Sequence, residues 1–220
     1  MKSLPMKRRY FCATATTLAA AGLPSLSALA QTKAPQAGTD YIKLDKPAPV
    51  DTPNGKIEVL EFFWYSCPHC NAFEPLLNQW VKQLRPDVAF KRVPVAFQDS
   101  YLPQQRLFYA LESLGLTEKL HDKVFAAIHV ERQNLVSEST ITAWMLKQGV
   151  DPALFASHFN SFSTVSKTHR ATQLMTAYQV EGVPAFGVAG RFYTDGSMAK
   201  SMERALQTVD FLVAEVRAGR

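Results

Sequence analysis

Residues 57–65, IEVLEFFWY, form a nearly unbroken apolar run rich in β-branched and aromatic side chains. A strand with one wet face alternates; an unbroken run reads as a strand buried on both faces. Such a strand must lie inside a sheet with cover above and below, which points to an α/β architecture. Cys67-Pro68-His69-Cys70 follows directly. Pro68 suits the first turn of a helix, where its missing N–H costs nothing. Phe73, Leu76, Leu77, Trp80, Val81 and Leu84 recur at helical spacing, so a helix is expected over about residues 68–84, kinked at Pro75. Cys67 therefore stands where a buried strand turns into the N-terminal end of a helix.

The rest of the chain extends this pattern. Residues 41–44 alternate like a short strand, and turn signals fill residues 46–49 and 52–55. Residues 88–95 read as a further strand. Residues 103–178 change to helical periodicity, as in Leu107, Ala110, Leu111 and Leu114, then Leu120, Val124 and Ile128. Ser137 or Ser139 is placed to cap a helix through Leu146 that stops at Gly149, Asp151-Pro152 opens another, and residues 165–178 continue. Residues 180–188 turn into a strand that pairs with residues 191–194 across Ala189-Gly190, and residues 198–216 form a final amphipathic helix. The order is β, β, α, β, helical block, β, β, α. We expect an α/β domain from residues 41–99 and 179–220, interrupted by a helical domain over residues 100–178.

Compartment decides what two close cysteines mean. Lys2, Lys7, Arg8 and Arg9 open the chain, a small and apolar stretch follows to Leu29, and Ala28-Leu29-Ala30 matches a signal-peptide cleavage site. Residues 1–30 are expected to be a signal peptide and residues 31–40 a flexible leader. Arg8-Arg9 also fits a twin-arginine signal, although basic pairs are ordinary in any such region. Cleavage removes four basic residues and no acids, taking the net charge from +5 to +1. Nucleic-acid binding loses its main support. It also removes Cys12, leaving only Cys67 and Cys70. A bond between them closes almost no loop and stabilises little, which argues against a structural disulfide.

A cysteine attacks as its thiolate. At a helix N-terminus the free N–H groups and the dipole favour negative charge, and protonated His69 adds to that. Cys67 is thus the expected nucleophile with a lowered pKa, and Cys70, one turn inward, the resolving thiol. Stabilising the thiolate favours the reduced form and makes the disulfide an oxidant. The competing reading is zinc, but a closed zinc site needs about four ligands and no second Cys or Cys/His cluster follows. We expect no metal and no cofactor. His121, His129, His158 and His169 lie singly in helical stretches and receive no role. Trp64 and Tyr65 either flank the site or pack in the core.

Leu60-Glu61-Phe62-Phe63, Cys67-Pro68-His69-Cys70 and Gly182-Val183-Pro184-Ala185-Phe186 together resemble the DsbA family of periplasmic thiol:disulfide oxidoreductases. The resemblance covers about residues 40–217, the middle by pattern alone. It implies a thioredoxin fold with an inserted helical domain, and transfer of the Cys67–Cys70 disulfide to reduced exported proteins. It also implies periplasmic localisation and reoxidation by the membrane protein DsbB. A depressed nucleophilic thiol pKa is itself a known property of that family. The resemblance further implies a cis peptide bond at Val183-Pro184 beside the cysteines, with backbone groups able to hold an extended substrate; an ordinary trans turn proline is the alternative.

Glu61 interrupts the apolar run. In a central strand its carboxyl would be buried and its pKa raised. The resemblance implies that it lies beneath Cys70 and helps to move that thiol's proton, with Arg92 a candidate partner; the alternative is an acid at a strand end reaching water. An isomerase or reductase of the same class is a second functional reading, although no segment before the first strand is long enough to be a dimerisation domain. A peptide-binding chaperone without redox turnover is a third. A monomer is the expected state.

Overall fold

The computed structural model describes residues 33–53 and 55–220; the expected signal peptide lies outside them. The strands are β1 (Ile42–Lys43), β2 (Ile57–Phe63), β3 (Val88–Pro94), β4 (Ala185–Val188) and β5 (Phe192–Asp195). The helices are α1 (Pro68–Val81), α2 (Leu102–Ser113), α3 (Thr117–His129), α4 (Glu138–Lys147), α5 (Pro152–Phe159), α6 (Phe162–Ala177) and α7 (Met202–Arg217). The sheet runs β1-β5-β4-β2-β3, with β2 parallel to β3 and antiparallel to β4.

All of β2 is buried, as its unbroken apolar run requires. Val59 packs with Phe73 and Leu77 of α1 and with Val209 and Leu212 of α7. Leu60 and Phe62 belong to the opposite core, with Leu107 and Leu111 of α2 and Val124 and Phe125 of α3. Helices α2–α6 enter the chain between β3 and β4. This is a thioredoxin fold carrying an inserted helical domain.

Caps explain where the helices depart from the periodicity. Ser137, and not Ser139, caps α4 through a reciprocal box with Thr140. Helix α6 starts at Phe162, earlier than expected, because the Ser161 hydroxyl accepts the Thr164 N–H at 3.1 Å. Helix α7 starts at Met202, later than expected, because Ser201 accepts the Arg204 N–H at 3.1 Å. Helix α1 stops at Val81; the Gln83 and Leu84 N–H groups instead reach back three residues, to Trp80 at 3.0 Å and Val81 at 3.2 Å. Residues 36–40, expected within a flexible leader, are held in a turn: the Asp40 N–H donates to the Gln36 carbonyl at 2.8 Å, and Asp40 pairs with Arg204 at 2.9 Å.

Between β4 and β5 the chain makes a turn over Val188–Arg191, closed by the Arg191 N–H donating to the Val188 carbonyl at 2.9 Å; its central residues Ala189 and Gly190 are both at positive φ (52° and 67°), as a primed turn requires. Tyr178 stacks against this hairpin. Its hydroxyl accepts the Gly190 N–H at 2.8 Å, and its ring packs on Phe62 with centroids 5.4 Å apart. An added Cβ at Gly187 would overlap the Tyr178 ring, which is fully buried and pinned at both ends. Gly187→Ala should therefore destabilise the fold by about 1–3 kcal/mol, the usual cost of overpacking. Denaturant unfolding checks this: a midpoint equal to wild type would show that the ring yields freely.

Candidate active site

Buried strand β2 delivers its last residues to the head of α1, and the site is built on that junction. Cys67 is the N-cap of α1 (φ −77°, ψ 118°), with Pro68 at the first helical position. Its N–H donates to the Trp64 carbonyl at 3.0 Å and its carbonyl accepts the Asn71 N–H at 3.1 Å, so the backbone around the sulfur is fixed on both sides. Pro68 and His69 are exposed, and Cys70, one turn inward, is sealed from solvent.

Both thiols are free. The Cys67 thiol is lowered to about 6. The largest cause is a hydrogen bond from the Cys70 thiol; the backbone N–H groups of Cys70 and His69 and the charge of His69 add to it, against the opposing effect of burial. As a thiol Cys67 makes no side-chain capping bond to α1; once ionised, its sulfur becomes the acceptor for the Cys70 thiol and for donors that the helix end leaves orphaned. Burial pushes the Cys70 thiol far up, and its neighbour Cys67 reinforces that direction.

The Val183–Pro184 peptide is cis. It lies beside the cysteines: the Cys67 thiol donates to the Val183 carbonyl at 3.4 Å. Val183, Pro184 and His69 line one groove of about 300 Å³, together with Asp195, Ser197 and Met202.

Beneath the cysteines lies a chain of buried charge. Glu61 on β2 is the register partner of Arg92 on β3, and is fully buried. Arg92 Nε donates to Glu61 Oε2 at 3.0 Å, while Nη2 donates to Glu74 Oε2 at 2.8 Å and Asn78 Oδ1 at 3.0 Å, both on α1. Glu61 is therefore not an acid reaching water at a strand end. Burial, then the like charge of Glu74, raises its carboxyl to about 8 against the pull of Arg92. Among the described residues its Oε1 has no hydrogen-bond partner. Its charge also contributes to raising Cys70, which places the carboxyl within electrostatic reach of that thiol.

A family model described as a DSBA-like thioredoxin domain matches residues 90–207. A thiol:disulfide interchange protein DsbA of Burkholderia cepacia is 40% identical over 202 residues, 92% of this chain and 95% of the relative. The chain belongs to the DsbA family of thiol:disulfide oxidoreductases. The DsbA of Bordetella parapertussis is 44% identical over 201 residues, 91% of this chain and 95% of that relative. A crystal structure of Pseudomonas aeruginosa DsbA superposes with a TM-score of 0.79 at 40% identity, covering 84% of this chain and 95% of that one. The DsbA of Xylella fastidiosa gives 0.78 at 30% identity, over 84% and 98% of the two chains. The family model begins downstream of the cysteine pair, whereas the matches to whole DsbA chains are long enough to span it.

Two members of the buried chain escape a reading of the sequence. Glu74 follows Cys70 by four residues, the spacing of one helical face, and that was the available signal. His121, given no role from sequence, is buried and lies 3.3 Å from Glu74 Oε1 through Nε2 and 2.9 Å from the Tyr65 hydroxyl through Nδ1. Tyr65 is core, and Trp64 is half-buried and stacked on Tyr101 with centroids 3.8 Å apart. His129 Nε2 lies 2.8 Å from the Tyr65 carbonyl. Glu74, His121 and Asp122 bring potential ligand atoms within 4.8 Å of one another, but Arg92 already supplies that cluster with a cation.

The order of effects on Cys67 is open to direct measurement. Thiolate absorbance followed against pH should give a midpoint near 6 in the wild type. Cys70→Ala should raise it by about one unit or more, and His69→Ala by less, since only the first removes the leading donor. A larger effect of His69→Ala would reverse that ranking.

Proposed function

We propose that the protein is an exported dithiol oxidase that donates its Cys67–Cys70 disulfide to reduced proteins in the periplasm. The observation that carries this reading is the contrast between the two sulfurs: one caps a helix at the surface groove, the other is sealed beneath it. In the oxidised protein a client thiolate attacks Cys67 Sγ, the S–S bond breaks, and Cys70 leaves with the electron pair. A buried thiolate with a strongly raised pKa takes up a proton at once. Glu61, at about 8, is mostly protonated at neutral pH and its charge bears on Cys70, so we assign it as the acid that supplies the proton. A second client thiol then attacks the client sulfur of the mixed disulfide. Cys67 leaves as its stable thiolate, the client gains one disulfide, and the enzyme has taken two electrons.

The groove of His69, Val183 and Pro184 gives the client segment its place, with the Val183 carbonyl available to an extended chain. Pro68 fixes the first turn of α1, so that Cys67 and Cys70 keep their relative heights. We assign residues 1–30 as the export signal. Among the described residues no helix is long and apolar enough to cross a membrane. A membrane oxidase of the DsbB type is the partner we propose for reoxidation, on the strength of family membership.

Oxidised protein incubated with a reduced, unfolded client should form client disulfides, and Cys67→Ala should abolish this. Cys70→Ala cannot form the pair's disulfide and should also fail to oxidise the client, while its Cys67 thiolate should trap a mixed disulfide when offered a client that already carries a disulfide; Glu61→Gln should slow transfer by about 10²-fold, a typical loss for an acid–base group. Transfer that survives Cys67→Ala would end the proposal.

The same thiolate links redox state to stability. Its folded pKa of about 6 lies below the ordinary thiol value of 9.0, so the stabilisation is present at high pH and lost as pH falls through 6. At pH 7 it amounts to about 1.4 kcal/mol, one pH unit's worth. The difference in unfolding free energy between reduced and oxidised protein should therefore grow in favour of the reduced form from pH 6 to pH 9. A pH-independent difference would contradict it.

A further inference from the structure

Helix α3 of the inserted domain reaches the buried charge chain through one side chain. The chain can be followed donor by donor. The Glu74 carboxylate only accepts, so His121 Nε2, 3.3 Å from Oε1, carries the proton and donates. Burial holds His121 in its neutral form, which leaves Nδ1 as an acceptor. The Tyr65 hydroxyl, 2.9 Å away and itself held protonated by burial, donates to it. Every link then has one donor and one acceptor: Tyr65 to His121, His121 to Glu74 Oε1, Arg92 to Glu74 Oε2, and Arg92 to Glu61 Oε2. Phe63, Phe108 and Phe125 wall the imidazole, with ring centroids 5.3 to 5.9 Å away, so water cannot substitute for it.

We propose that His121 is a positioning residue for thiol–disulfide exchange: by gripping the Tyr65 hydroxyl and Glu74 together, it holds the Glu74–Arg92–Glu61 chain in place beneath Cys70. The catalytic consequence rests on the proton-transfer reading of Glu61; the positioning itself does not. The charged and titratable groups facing this chain are Glu61 and Tyr65 from β2 and its end, Cys70 and Glu74 from α1, Arg92 from β3 and Asp122 from α3. Glu61 and Glu74 share Arg92, and the charge of Glu74 bears on the Glu61 carboxyl. Arg92 serves them through different N–H groups, so losing His121 does not force it to choose. It does remove one donor from the pair, and the pair then holds a proton more tightly.

Carbon-13 NMR of the glutamate carboxyl groups reads this pair directly. In His121→Phe its upper apparent pKa should rise by roughly one unit or more, a tenfold or greater gain in proton affinity, as expected on losing a charge-assisted donor. The pH profile of client attack on the Cys67–Cys70 disulfide, the step that releases Cys70, should move the same way, while the Cys67 thiolate midpoint stays within about 0.3 units. His121→Gln keeps an amide donor for Glu74 and should restore most of the wild-type titration. If His121→Phe does not fold, Tyr65→Phe, which deletes only the hydroxyl at the far end of the chain, should shift the pair in the same direction by less. Carboxyl titrations on the wild-type curve in all folded variants, with only thermal stability changed, would overturn the proposal. Glu61→Gln run in parallel separates the two readings. If it leaves the pH profile of client attack unchanged while His121→Phe still shifts the carboxyl titration, the positioning stands and the proton-transfer role of Glu61 falls.

Discussion

The organising interaction is a sulfur anion used as a helix cap. Most helices satisfy their first N–H groups with a hydroxyl or a carboxylate, and α4 through α7 do so here with Ser137, Asp151, Ser161 and Ser201, except that α1 presents a thiol instead. In the reduced protein the cap is complete only when that thiol is ionised. A disulfide sulfur carries no charge to meet the same donors. The local structure of α1 therefore favours the reduced state, and oxidising power follows from capping geometry.

That geometry depends on the sheet beneath. The cap sits at the end of β2, whose burial on both faces fixes the height at which the chain enters α1. Burial also carries a cost, since it places Glu61 and Glu74 in the interior with one guanidinium between them. Such a cluster adds little to stability, because desolvation offsets much of the Coulombic gain. On the function proposed above its value is chemical: a carboxyl raised to about 8, in electrostatic reach of the buried Cys70 thiol.

Much of this was legible in the sequence. The unbroken apolar run marked β2, helical spacing marked α1, α2 and α3, cap and turn residues marked α4, α5 and the β4–β5 hairpin, and Glu61 announced itself as the acid interrupting the run from Val59 to Tyr65. Helix boundaries were less legible because single serines, such as Ser161 and Ser201, set them against the apolar period. The pairing of Glu61 with Arg92 needs strand register, which a parallel pair joined through a whole helix does not reveal. His121 and Glu74 stand 47 residues apart, and His121 and Tyr65 stand 56 apart. No local pattern connects such positions; the packing of α3 on α1 and β2 creates the contact. The leading place of the Cys70 thiol among the effects on Cys67 is likewise a matter of geometry, invisible in a two-residue spacing.

If an anionic cap sets the redox direction, the equilibrium between the Cys67–Cys70 pair and glutathione tests it most directly. Titrated at pH 7 across glutathione ratios, the pair should come to equilibrium on the oxidising side of the glutathione couple, giving up its disulfide readily. A potential as low as that of a reducing thioredoxin, about −270 mV, would contradict the account.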